Sequence, residues 1–131
     1  MRCCVLARHS YDYALIRFTP RLERGEMMNV GVVLYCRTKR FLAAHTYLDE
    51  PKARLLDPTC DLSVIHEQLA LFSAVAIGDA KAAPIALLPQ PERFHWLVAP
   101  RSTIIHTSSV HCGITDDPAH QLGVLMERLV K

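Results

Sequence analysis

NVGVVLYC, running from Asn29 to Cys36, decides the fold. From Val30 onward every residue is apolar or glycine, and the β-branched content is high. Such an unbroken run is how a strand buried on both faces reads. Gly31 inside it signals a bulge or the close approach of another group. On the N-terminal side, Tyr11 to Thr19 forms a second strand, stopped by Pro20. Tyr11, Tyr13, Leu15 and Arg17 alternate with Ala14, Ile16 and Phe18, so both faces carry large apolar groups and the strand is expected to be central. A charged connection from Pro20 to Met27 joins the two. On the C-terminal side, a polar turn from Arg37 to Arg40 leads into Phe41 to Leu48, read as an antiparallel third strand.

Helical signals follow. Asp49 before Pro51 starts a short helix that ends near Leu56. Asp61 is a good N-cap for a longer one, with Leu62, Ile65, Leu69, Phe72 and Ala76 at helical steps and Gly78 as its C-terminal cap. Asp79 to Pro91 reads as a proline-rich loop. Phe94 to Val98 and Thr103 to Ser108 read as two strands around an Ala99–Ser102 turn. Asp117-Pro118 opens a last helix, with Leu122, Leu125 or Met126, and Leu129 on its core side. Gly123 weakens that helix by about 1 kcal/mol relative to alanine, which suggests a close packing contact there. Runs of strands do not alternate singly with helices, so a doubly wound parallel fold is disfavoured. The expected class is α+β: a mainly antiparallel sheet of about five strands, order βββ-α-ββ-α, with two main helices packed on one face.

Composition bounds the rest. The chain has 131 residues, 50% of them hydrophobic and 21% charged, with a formal net charge of +2. That is enough for one domain over residues 1–131 with a full core, and it argues against disorder. The apolar run from Leu69 through Ile77 is interrupted by Ser73 and too short to span a bilayer. No secretory leader is read at the start. Five cysteines, Cys3, Cys4, Cys36, Cys60 and Cys112, are odd in number and irregular in spacing, which points to a reducing, cytoplasmic setting. Charge is uneven: residues 1–56 hold ten Lys or Arg against five Asp or Glu, and residues 57–131 hold five against eight. The basic half could meet phosphate, although charged turns account for it more simply.

Chemistry is thinly signposted. Arg24, Glu26 and Asn29 stand where the charged loop enters the buried strand, and Arg17 lies on the preceding strand. Pairing of the two strands would bring Arg17 toward Glu26 or Asn29, giving a small polar pocket for an anion or carbonyl. A structural Arg–Glu bridge with an Asn-capped turn explains the same residues and outweighs that reading. Arg101, Ser102 and Thr103 before a strand could bind an oxyanion, although a satisfied turn is the simpler reading. His95, His106 and His111 cluster with Cys112 and Asp116, types that suit zinc, yet no H-E-x-x-H or H-x-E spacing accompanies them and no metal is expected. His106-Thr107-Ser108 fits one half of the two-histidine phosphoesterase pattern, but the required second half is missing. G-x-S-x-G and a glycine-rich phosphate loop are both absent, and no cofactor is expected.

PRLERGEMMNVGVVLYC after YDYALIRFT resembles the opening of the bacterial domain of unknown function 3037 family, with its R-G-E-x-x-N-x-G-V pattern behind an aromatic strand. Later blocks agree: Arg93 to Leu97, Ala99 to Thr103, Ser109 to Gly113 and Asp117-Pro118. The resemblance spans roughly Tyr11 to Val130. It implies no transferable activity, and it points only to a protein partner of the HipA-like kinase type. The leading expectation is a small intracellular interaction domain that binds a protein partner. The alternative is an enzyme or binding module for a phosphorylated, nucleotide or nucleic-acid ligand, using Arg17, Arg24, Glu26, Asn29, Arg101, Ser102, His106 and His111.

Overall fold

A computed structural model describes residues 8–131; Cys3 and Cys4 lie outside it. Strand β1 (His9–Phe18) pairs antiparallel with β2 (Met28–Cys36), and β2 with β3 (Phe41–Thr46). The other side of β1 is shared. Its Ile16 to Phe18 pair with β4 (Ile105–Thr107), and its His9 to Tyr13 with β5 (His111–Thr115), both antiparallel. β4 and β5 are therefore one line of chain interrupted by Ser108 to Val110, three residues facing Leu15 and Ala14. That surplus residue is a β-bulge. The five strands form one sheet in the order β3-β2-β1-β4, with β5 beside β1.

A second bulge lies between β1 and β2, where the register shifts between Ile16 and Arg17. Gly31 follows it for a steric reason. A Cβ there would stand 2.5 Å from the His45 carbonyl oxygen and 3.1 Å from Ile16 Cδ1. The close approach signalled by the sequence is thus a neighbouring strand's backbone.

Four α-helices complete the fold: α1 (Glu50–Leu56), α2 (Leu62–Ile77), α3 (Gln90–Val98) and α4 (Pro118–Leu129). Asp49, Asp61 and Asp117 cap α1, α2 and α4, accepting from the N–H groups of Lys52, of Ser63 and Val64, and of His120. Each satisfies orphan donors of a first turn. On one face of the sheet, Ala14, Ile16, Phe18, Met28, Val30, Val33, Tyr35, Leu42 and Ala44 pack with Ala53 of α1, with Ile65, Leu69, Phe72 and Val75 of α2, and with Phe94 and Leu97 of α3. On the other, Tyr11, Val32, Leu34 and Cys36 pack with Leu122, Leu125 and Met126 of α4. Each fully buried Phe, Ile or Leu contributes about 1.5–3 kcal/mol of transfer free energy.

Three expectations are corrected. Helices cover both faces, not one, which is why β2 is apolar from Val30 onward. Phe94 to Val98 lies in a helix rather than a strand. Pro91 stands in its first turn, and Phe94 and Leu97, three apart, turn together into the core, the Phe94 ring 5.1 Å from that of Tyr35. The fifth strand is instead His111 to Thr115. Finally, Gly123 marks no packing contact: a Cβ there would meet nothing within 4 Å.

Candidate functional site

The sheet brings three of the eight candidate residues onto one rung. Arg17 of β1 pairs with Asn29 of β2 on one side and with His106 of β4 on the other. Residues directly opposite in a sheet share a face, here the face that carries α4. The Asn29 side chain donates to the Leu129 carbonyl at 2.9 Å, fastening the C-terminal end of α4 to the rung. His106 Nε2 shares a 2.8 Å hydrogen bond with Thr19 Oγ1, a residue that sequence reasoning left out. Arg17 itself donates to no described residue, and its buried Nε lacks a partner.

The other five lie apart. Arg24 and Glu26 pair with each other at 2.7 Å on the exposed connection between β1 and β2, so the bridge anticipated for Arg17 forms elsewhere and in water. That pairing raises the Arg24 pKa and lowers that of Glu26. Arg101 occupies the opposite side of the sheet, its guanidinium 4.8 Å from the Trp96 ring and 5.3 Å from the Phe72 ring. It donates to the Trp96 carbonyl at 2.5 Å, closing the end of α3, and burial lowers its pKa. Ser102 is exposed in the following turn. His111 stacks against Tyr13 at 5.4 Å, four residues up β1 from Arg17 and so about 13 Å away. Among the described residues no group of three His, Cys, Asp or Glu is placed to hold a metal ion.

The basic half is split as well. Arg21 and Arg24 stand at one end of β2, and Arg37, Lys39 and Arg40 at the other, roughly 30 Å apart for a strand of this length. Its charge does not form one patch.

A second feature comes from the backbone. Ser108 N–H donates to Leu15 O at 2.9 Å and Thr19 N–H to Ile104 O at 2.8 Å, so the odd-numbered residues of β1 bond toward β4 and β5. Antiparallel alternation then turns His111, Gly113 and Thr115 inward and leaves the N–H and C=O of Cys112 and Ile114 on the outer edge. Elsewhere two outward carbonyls are met by hydroxyl groups. Ser73 donates to Ala44 O of β3 at 3.1 Å, and Thr103 to Ile105 O of β4 at 2.6 Å. Among the described residues β5 has no such cover. Its Ile114 is 65% exposed and the preceding Val110 43%. Underneath, the Tyr11 ring lies over Gly113, whose Cβ would fall 2.6 Å from the phenol oxygen. Burial foremost, then the neighbouring Tyr13 and Cys112, raises the Tyr11 pKa.

Fold and surface together define a small α+β protein with an antiparallel sheet covered by helices on both faces, an outer β5 edge that no described side chain bonds, and one polar rung. The chain belongs to the family described as Protein of unknown function (DUF3037), whose model matches residues 13–130. No curated protein and no solved structure matches it significantly.

Proposed function

We propose that this protein is a binding module that takes an extended segment of a protein partner onto the outer edge of β5. The open edge carries the reading. Unpaired N–H and C=O groups at a sheet edge are a template for another strand, here those of Cys112 and Ile114. The strand HCGIT holds no Lys, Arg, Asp or Glu to repel an incoming chain. Ile114 and Val110 offer apolar contacts beside the ladder. A second copy of the chain is the competing occupant, and the oligomeric state separates the two.

A kinase-like protein of the HipA type, implied by the family resemblance, is the first partner to test. A cytoplasmic setting agrees with the free thiols of Cys36, Cys60 and Cys112, and among the described residues no helix is long and apolar enough to cross a membrane.

The test is capture from the native host with the full chain and with Ile114→Pro. Proline at this outward position removes a donor from the edge while sparing the inward ladder. A protein retained at equal stoichiometry by the wild type and lost from the variant supports the reading. Nothing retained, or equal retention by both, defeats it. A concentration-dependent wild-type dimer that Ile114→Pro abolishes would make the occupant a second copy instead.

A further inference from the structure

We infer that the Arg17 rung is a binding site for an oxyanion, either a phosphoryl group or a carboxylate, separate from the β5 edge. Arg17 is half-buried, donates no hydrogen bond to any described residue, and keeps a buried Nε without a partner. Among the described residues no carboxylate lies within 4.0 Å of it. A guanidinium taken partly out of water without a counter-charge is costly, and an anion hydrogen-bonded to it offsets that cost. The exposed Arg24, by contrast, already has its carboxylate at 2.7 Å.

The neighbours supply donors in every protonation state. If His106 Nε2 accepts from the Thr19 hydroxyl, the imidazole proton sits on Nδ1 and is free to donate. If Nε2 carries the proton and donates to Thr19 Oγ1, the hydroxyl hydrogen is free instead. Either way one hydrogen is left free on the pair that neighbours Arg17 in the sheet. On the opposite side, Asn29 donates to the Leu129 carbonyl at the C-terminal end of α4, the negative end of a helix dipole. That field repels an anion from the β2 side and favours its seating between Arg17, Thr19 and His106. A guanidinium fork and a hydroxyl–imidazole pair suit the several oxygens of phosphate or carboxylate better than a halide.

The experiment follows the backbone and imidazole NMR signals of the full chain during titration with inorganic phosphate and, separately, acetate, at constant ionic strength set by chloride. Saturable shifts centred on Thr19 and His106 are expected, and the stronger of the two anions identifies the group. Arg17→Gln should weaken binding about tenfold or more, Arg17→Lys less, and Arg24→Gln not at all. No saturable shift of the wild type with either anion overturns the site, whatever the variants do. Equal binding by Arg17→Gln and wild type overturns it too. Ile114→Pro leaves this titration unchanged, so the anion site and the β5 reading stand or fall separately.

Discussion

Two glycine-to-alanine substitutions should change stability in opposite directions. At Gly31 the added methyl would meet the His45 carbonyl oxygen at 2.5 Å, Ile16 Cδ1 at 3.1 Å and Thr46 Cγ2 at 3.2 Å. The first contact is backbone in the adjoining strand, so relief requires β2 and β3 to part beside the buried Gly31 and Ile16. Overpacking of this kind costs about 1–3 kcal/mol, and the smaller entropy of the unfolded alanine chain returns about 0.4–1 kcal/mol. Gly31→Ala should therefore destabilise by about 1–2 kcal/mol. Gly123 lies within α4 and its methyl would meet nothing within 4 Å. There only helix propensity acts, and Gly123→Ala should stabilise by about 0.5–1 kcal/mol. Urea denaturation checks both: the midpoint falls for the first and rises for the second, with the slope unchanged. A Gly31→Ala protein as stable as wild type would refute the β2–β3 register and the bulge beside it.

Ser108 accepts from Leu15 N–H at 2.9 Å and donates to Ser109 O, holding the β4–β5 bulge together. Ser108→Ala leaves a buried donor without its partner and should cost about 1–3 kcal/mol, read from the same denaturation curves. Gly113→Ala should displace the Tyr11 ring, whose nearest atoms lie 2.6–2.9 Å from the new methyl; the Tyr11 ring signals in an NMR spectrum report it. Donation from the Ser63 hydroxyl, then from the Val64 N–H, lowers the Asp61 pKa below its ordinary 3.8. Its stabilisation is accordingly present above the unfolded-state value and lost as pH falls through the lowered one. Wild type should exceed Asp61→Asn in thermal stability at neutral pH, with the gap closing in strong acid.

What the sequence disclosed follows from how local each determinant is. The run from Val30 to Cys36 announces a doubly covered strand because every position, whichever way it points, is buried. The three aspartate caps are equally local, each decided by one carboxylate and the N–H groups two or three residues on. α3 was harder. Phe94, Trp96 and Val98 favour strands, but packing of Phe94 on Tyr35 and of Trp96 on Phe72, with Arg101 closing the end, overrides that preference. β5 escaped notice because Gly113 interrupts its pattern and Ile114 points to solvent. The polar rung depends on β1 being shared by β2 and β4, a pairing across nearly ninety residues of chain that no local pattern encodes. Arg17, Asn29 and His106 were recognisable as unusual residues. Their alignment, and the part of Thr19, were not.

Residue-resolved amide hydrogen exchange of the free protein tests the open β5 edge most directly. The account predicts fast exchange at Cys112 and Ile114, whose N–H groups face outward, beside protected His111, Gly113 and Thr115. Protection of Cys112 and Ile114 equal to that of their neighbours, in a monomer without a partner, would contradict it.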